Sequence, residues 1–236
     1  MKAKPGNITL AHKSLPVLYS LRNCPYAMRA RIAIFYSAKP VELRDLVLSN
    51  KPEAMLLASP KGTVPVIVLS DSELAEPKQT VIEESIDIML WALGESDPDD
   101  LLNRQHPEAF AEMLKLIHLF DHDFKTCLEA YKCAKRYKEN NITQCRVACE
   151  SFIEILEQRL AKQTFLMSSK PSLLDIALLP FIRQFARVER QWYLQSPYPQ
   201  VRAWLNNYLQ SPMFTKVMAK FPLWSPNNDI VLFGKS

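Results

Sequence analysis

The stretch PVLYSLRNCPYAMRARIAIF, residues 16–35, decides how the first part of the chain folds. Its opening run, 16–21, is short and apolar, which is typical of a β-strand. From 27 to 35 the apolar residues recur every three or four positions, the spacing of one helix face. Pro25 is well suited to the first position of a helix, where its missing N–H costs nothing. The stretch therefore predicts a strand that leads directly into a helix.

Alternation of short apolar runs with helical spacing continues to about residue 94. Further strands are predicted at 41–48, 64–69 and 80–82, and further helices at 51–58 and 85–93. The order β-α-β-α-β-β-α combines a βαβ unit with a hairpin and a final helix. We therefore expect a thioredoxin-like α/β domain at residues 15–94.

The polar, proline-containing segment 95–106 is predicted to be a linker. After it, helical spacing dominates three long stretches, at 110–131, 145–160 and 172–188. We expect an all-α C-terminal domain at 107–222, followed by a tail at 223–236.

Composition and charge argue against several classes of protein. The mild net charge of +4 does not suggest a nucleic-acid-binding protein, which would need a concentrated basic face. The basic run 132–138 (KCAKRYK) is predicted to be a solvated helix face. No stretch has the roughly 18 apolar residues that span a bilayer. The N-terminus lacks the apolar segment of a secretory signal, and the five cysteines are irregularly spaced. We therefore expect free thiols and a cytoplasmic location, with no membrane or nucleic-acid partner.

Cys24 has the clearest chemical role. It is predicted to lie at a helix N-terminus, where unpaired N–H groups and the helix dipole favour negative charge. Cysteines placed in this way have pKa values of about 3.5–7.5 instead of about 8.5, and the thiolate is the nucleophile. The alternative is a buried cysteine that packs as a small apolar residue. Ala27 replaces the second cysteine of a Cys-x-x-Cys motif, so Cys24 must act alone or with an external thiol.

Two segments predict a binding site for that external thiol. Pro65 opens a buried strand, where a cis bond is frequent, and a cis bond would turn the backbone of Val64 outward to pair with an extended tripeptide. The alternative is an ordinary turn. Before the next helix, Ser85 is predicted to be the N-cap and to bind a carboxylate, while Glu84 binds an ammonium group. The alternative is a simple cap beside a solvated glutamate.

Two pairs of possible metal ligands lie one helical turn apart, His118 with His122 and Cys145 with Cys149. An exposed polar face is favoured for the histidines and core packing for the cysteines, so no metal is expected.

A capping box, with aspartate in place of the usual glutamate, spans Ser172 to Asp175 and predicts the start of the central C-terminal helix. Pro180 predicts a kink in that helix.

Four strings together resemble the N-terminal domain of the cytosolic glutathione transferases: LYSLRNCPYAMRARIAI (18–34), NKPE (50–53), SPKGTVPVIVL (59–69) and VIEESIDIMLWAL (81–93). The Cys-Pro-aromatic string and NKPE are most similar to the cysteine-type, omega-like branch. The resemblance covers residues 16–220 and departs from the family at the polar stretch 70–79.

This resemblance implies glutathione as cosubstrate and Cys24 as the residue that forms a mixed disulfide with it. It further implies that Lys51 contacts the glycyl carboxylate and that Val64 pairs with the cysteinyl backbone. Glu84 and Ser85 would hold the γ-glutamyl end.

The expected function is that of a homodimeric, glutathione-dependent thiol transferase or dehydroascorbate-reductase-like enzyme. It would act on a small disulfide, oxidised or electrophilic substrate. One alternative is a non-catalytic regulatory protein on the same scaffold, like the stringent-starvation-type relatives that contact RNA polymerase. Another is conjugation of glutathione to electrophiles. That chemistry uses a hydroxyl in other classes of the family, whereas Tyr19 lies inside the first predicted strand and is expected to be a core residue.

Overall fold

The computed structural model describes residues 15–71 and 78–234. Its first half contains β1 (Val17–Ser20), α1 (Pro25–Ser37), β2 (Val41–Asp45), α2 (Glu53–Ala58), β3 (Val66–Asp71), β4 (Lys78–Ile82) and α3 (Ser85–Glu95). The predicted order of elements is confirmed. Strand β2 ends three residues earlier than predicted, because the chain turns at a bridge between Val47 and Asn50.

The sheet has the strand order β4-β3-β1-β2-β5. Strands β1 and β2 are parallel, with Val17 opposite Glu42, and β3 and β4 add antiparallel neighbours on the other side. The fifth strand, β5 (Leu232–Phe233), pairs antiparallel with β2. The segment expected to be a tail therefore returns to the sheet. Two residues carry no periodic pattern, so this pairing was invisible in the sequence.

The two faces of the sheet are covered differently. Helices α1 and α3 pack together on the face that carries Leu18 and Ile67, and their apolar residues continue into the core of the helical half. On the other face, Tyr19 and Val66 form a smaller cluster with Met55 of α2. Tyr19 is 2% exposed, so its prediction as a core residue is confirmed.

The second half is helical, as predicted. It contains α4 (Pro107–Leu119), a π-helical segment (Phe120–Phe124), α5 (Lys125–Tyr137), α6 (Ile142–Leu160), α7 (Leu173–Val188), α8 (Arg190–Gln195), α9 (Pro199–Leu209) and α10 (Pro212–Val217). The single helix predicted over 110–131 is interrupted by the π-helical segment, a feature that often marks functional sites. No helix in the described residues is long and apolar enough to cross a membrane.

Helix α7 is the centre of the helical half and contacts α1. Its predicted capping box is present: the Ser172 hydroxyl accepts a hydrogen bond from the Asp175 N–H, and an Asp175 oxygen accepts from the Ser172 N–H at 3.0 Å. The Asp175 carboxylate also accepts from the Leu166 N–H at 3.0 Å and from the Trp204 indole at 2.9 Å. Asp175 therefore connects the start of α7 to a loop and to α9. Pro180 lies inside α7, as predicted.

Candidate active site

A cleft of about 860 Å³ lies between the sheet-containing half and helices α4 and α5. Its walls include every residue that the sequence suggested for catalysis or ligand binding, namely Cys24, Lys51, Val64, Pro65, Glu84 and Ser85. These residues come from four separate loops and helix ends. The fold brings them together around one space.

Cys24 occupies the N-cap of α1, with extended backbone angles (φ −74°, ψ 125°). The residue is partly buried, and its thiol donates a weak hydrogen bond to the Val64 carbonyl over 3.8 Å. Pro25 follows at the first helical position, as predicted. The sulfur therefore lies at the positive end of the α1 dipole, at the edge of the cleft.

The Val64–Pro65 peptide bond is cis, as predicted. Within the described part of the chain, the Val64 N–H donates no hydrogen bond, and its carbonyl accepts only from the Cys24 thiol. A backbone donor and a nearly free acceptor thus border the cleft next to the sulfur. This arrangement can bind an extended peptide as an added strand.

Ser85 is the first residue of α3, and Glu84 takes the N-cap position. The prediction of Ser85 as the N-cap was therefore wrong by one residue. The Ser85 hydroxyl instead accepts a hydrogen bond from Arg29 Nε at 3.0 Å and is buried. Glu84 is exposed and pairs with Lys61, a contact that raises the Lys61 pKa. The two residues thus offer a buried hydroxyl and an exposed carboxylate at one helix end.

Lys51 reaches the same cleft from the loop before α2. A Cβ added at Gly62 would lie 3.2 Å from the Lys51 amino nitrogen. Gly62 also has φ +63°, a conformation that favours glycine. The loop after α2 therefore makes room for a lysine at the cleft wall.

Sequence reasoning missed Arg29, which is 2% exposed beneath the cleft. Its guanidinium donates two parallel hydrogen bonds to Asp121, at 2.8 and 2.7 Å, in addition to the bond with Ser85. It also lies over the rings of Tyr26 and Phe181. The one sequence signal was a pair of arginines, Arg29 and Arg31, in a largely apolar helix. Its partner is 92 residues away in the chain, which no local pattern reveals.

The two pairs of possible metal ligands lie as the sequence favoured. His118 and His122 are exposed at the rim of the cleft, with ring centres 4.2 Å apart. Cys149 is buried in the helical core, and burial raises its pKa to about 12. Cys145 is partly buried beside that core. Residues 72–77 of the polar stretch 70–79 lie outside the described residues.

Comparisons with known proteins match both halves of the chain to domains of one family. The profile of the glutathione S-transferase N-terminal domain matches residues 18–99, and that of the C-terminal domain matches residues 139–207. Human glutathione S-transferase omega-2 is 30% identical over 198 residues, which are 80% of this chain and 74% of the human protein. Drosophila melanogaster pyrimidodiazepine synthase is 26% identical over 232 residues, covering 91% of this chain and 89% of the fly protein.

Solved structures show the same fold at low identity. A glutathione transferase family member from Pseudomonas fluorescens, crystallised with two glutathione molecules, has a TM-score of 0.73 at 18% identity, covering 89% of this chain and 95% of its own. A glutathione S-transferase-I bound with lactoylglutathione has a TM-score of 0.70 at 19% identity, with 87% and 99% coverage. The chain therefore has the same two-part fold as these proteins, although fewer than one residue in five is identical.

Proposed function

Because the chain belongs to the glutathione S-transferase family and is similar to its omega class, we propose that it is a glutathione-dependent thiol transferase with Cys24 as its nucleophile. The observation that carries this proposal is the position of the Cys24 sulfur. It lies at a helix N-terminus, 3.8 Å from the Val64 carbonyl, in a cleft large enough for a tripeptide. A thiol in that position is suited to disulfide exchange with a bound glutathionyl group.

The cleft offers a complementary group for each part of glutathione. The Val64 backbone pairs with the cysteinyl residue as an added strand would. At one end, the Ser85 hydroxyl binds the γ-glutamyl carboxylate and Glu84 binds the ammonium group. At the other end, Lys51 binds the glycyl carboxylate, and Pro65 shapes the wall between the two ends.

In the proposed reaction, the Cys24 thiolate attacks the glutathionyl sulfur of a mixed disulfide between glutathione and a substrate thiol. A bond forms between Cys24 and glutathione, and the substrate leaves as a thiolate that takes up a proton. The thiolate of a second glutathione then attacks the glutathionyl sulfur. Oxidised glutathione leaves, and the Cys24 thiolate is regenerated. Overall, the mixed disulfide and one glutathione thiol give oxidised glutathione and the free substrate thiol, so the incoming glutathione sulfur is oxidised and the substrate sulfur is reduced.

The test is a disulfide-exchange assay with Cys24→Ser, in which we expect activity to fall to background because no other thiol lies in the cleft among the described residues. Cys133→Ser is the matched control, since Cys133 is an exposed thiol outside the cleft. It should keep wild-type activity. Intact mass measurement after treatment with oxidised glutathione should show an adduct that maps to Cys24.

Cys127 and Cys149 should not compete for this adduct, because burial raises the pKa of both thiols. Full activity of Cys24→Ser would rule out the proposed mechanism. If the protein also failed to bind immobilised glutathione, a regulatory role on the same scaffold would replace the enzymatic one.

We further propose that the protein is cytoplasmic and forms a homodimer. Within each chain, we place the boundary between the two domains in the segment 95–106. The free state of all five cysteines suits a reducing compartment. Light scattering on the purified protein tests the dimer, and a mass of one chain would contradict it.

A further inference from the structure

A second pocket, of about 740 Å³, lies on the other side of the loop that carries Cys24. Residues 21–24 form the wall between the two spaces: Leu21 and Cys24 line the cleft, whereas Arg22 and Asn23 line the second pocket. Its remaining walls come from α5, α7 and the region of α10. We call it the basic pocket, after its six cationic side chains: Arg22, Lys132, Lys135, Arg136, Arg183 and Arg187.

The positive charge of the basic pocket is not neutralised by the described residues that line it. None of the described residues that line it is acidic. Lys132 and Lys135 have acidic neighbours outside the pocket, with Glu129 at 2.8 Å and Glu189 at 3.7 Å. The four arginines form no ion pair with any described residue.

The arginines also lie close enough together to influence one another. Burial lowers the pKa of Arg183, and the charges of Arg187 and Arg22 lower it further. The Arg183 guanidinium lies over the Phe214 ring, which holds it in place at the pocket wall. Like charges held together in this way cost free energy, and an anion between them recovers that cost.

This local concentration of positive charge is large for a molecule whose net charge is only +4. The basic run 132–138 contributes three of the six cations, so part of the helix face expected to be merely solvated borders a concave site. A pocket of about 740 Å³ fits a small molecule, whereas a nucleic-acid strand requires a longer basic groove.

We propose that the basic pocket binds a small polyanion, with two or more carboxylate or phosphate groups, and that this polyanion is the acidic part of the disulfide substrate that Cys24 attacks. The assignment of the polyanion as part of the substrate rests on the proposed function, because that assignment places the substrate sulfur at the loop between the cleft and the basic pocket. The first half, anion binding, does not depend on the chemistry of Cys24.

Binding is tested first, by calorimetric titration of the full-length protein with citrate and with tripolyphosphate at low ionic strength. The two probes separate a preference for carboxylates from one for phosphates. The test variant is Arg136→Gln/Arg187→Gln, since both arginines are exposed and their replacement should not disturb folding. The control is Lys162→Gln/Lys170→Gln, which removes the same charge from exposed positions outside the basic pocket.

We expect the test variant to bind both anions about tenfold more weakly or worse, because charge-assisted hydrogen bonds are lost, and the control to bind like wild type. Equal binding by the two variants, or no binding by wild type, would overturn the proposal. Tighter binding of a single-stranded oligonucleotide than of either small anion, with loss in the test variant, would overturn it in favour of a nucleic-acid surface.

The substrate assignment is tested with two glutathione mixed disulfides that differ in the leaving thiol, one with mercaptosuccinate and one with mercaptoethanol. Both present the same glutathionyl group, so only the leaving thiol differs, and the mercaptosuccinate thiol alone carries two carboxylates. We expect a higher kcat/KM for the mercaptosuccinate disulfide through a lower KM, and loss of this preference in Arg136→Gln/Arg187→Gln alone. Equal values in wild type would refute the assignment. Inactivity toward both disulfides with intact citrate binding would instead disprove the thiol transferase function and leave the anion site standing.

Discussion

Asp121 and Asp175 are two carboxylates that the fold withdraws from solvent by different means. Asp121, in the π-helical segment, accepts both of its bonds from the Arg29 guanidinium of α1 and so joins the helical half to the sheet-containing half. Asp175 accepts four hydrogen bonds from uncharged donors, all within the helical half: two N–H groups, the Ser172 hydroxyl and the Trp204 indole.

The difference separates two uses of a buried carboxyl group. Asp175 stabilises the start of a central helix, and none of the described residues that donate hydrogen bonds to its carboxyl group lines the cleft. The Asp121–Arg29 pair is continuous with the Ser85 hydroxyl, which we propose as a ligand for glutathione. Replacing Asp175 should therefore change mainly stability, whereas replacing Arg29 should change both stability and ligand binding.

The largest effect is expected for Asp175→Ala. It leaves the Leu166, Ser172 and Trp204 N–H groups buried without an acceptor, so the free energy of unfolding should fall by about 3–5 kcal/mol. Urea titration measures the loss. The Kd of the remaining folded protein for glutathione should stay within about twofold of wild type. Asp175→Asn is the control and should lose less, since one oxygen acceptor remains. A loss of stability below about 1 kcal/mol would show that the four hydrogen bonds contribute little.

Arg29→Met comes next, because it keeps much of the apolar stem but removes the guanidinium. Asp121 and Ser85 each lose a partner, so stability should fall by about 1–3 kcal/mol. Glutathione affinity should fall about tenfold or more because the Ser85 hydroxyl is no longer oriented. Arg29→Lys, which keeps the charge without the two-pronged geometry, should lie between wild type and Arg29→Met. Unchanged glutathione affinity in a folded Arg29→Met protein would break the proposed link between the pair and the site.

A third carboxylate, Glu189, extends the comparison, because its contribution to stability should depend on pH. Burial opposes its charge, but bonds from Tyr131 and Arg146, with Lys135 nearby, bring the Glu189 pKa below its ordinary value. A lowered pKa in the folded state stabilises the protein above the unfolded value of about 4.3 and stops doing so as the pH falls through the folded value.

Glu189→Gln should therefore lower the free energy of unfolding by about 1 kcal/mol at pH 7. The loss is this small because solvent screens the partly exposed Glu189 carboxylate. The difference from wild type should shrink as the pH is lowered below about 4.3. Urea unfolding of both proteins at several pH values measures it. A difference independent of pH would show that the ionised form of Glu189 has no special stabilising role.

The smallest effect is expected for Lys61→Gln, at the exposed end of the cleft. Its pair with Glu84 is a surface ion pair, so the denaturation midpoint should not change measurably. Freed from Lys61, Glu84 becomes fully available to the ammonium group of glutathione, and the Kd should fall by up to about fivefold. A raised Kd would mean that Lys61 itself contacts the ligand. Glu84→Gln is the matched variant and should bind glutathione more weakly.

Local features of the fold and the cleft were predictable from the sequence because they depend on neighbouring residues. Three such features each depend on a few consecutive residues: the strand-to-helix transition at Cys24, the cis bond before Pro65 and the capping box at Ser172. The N-cap of α3 was misplaced by one residue for a non-local reason. The Ser85 hydroxyl is engaged by Arg29, which lies 56 residues earlier in the chain.

Other features had no local signal. A two-residue strand such as β5 exists only because β2 offers an open edge, and the π-helical segment keeps the same three- and four-residue spacing as an ordinary helix. The basic pocket draws its cations from three distant elements, of which only the run 132–138 was recognisable.

The sequence by itself determined where the Cys24 sulfur lies and which backbone and side chains accompany it, because caps, turns and helix ends are short-range structures. Only the tertiary structure decided how the two halves meet through Arg29 and Asp121, and that six cations gather behind Cys24. Charge acts through space rather than along the chain, so its balance in a cleft or pocket is defined only once distant elements have packed together.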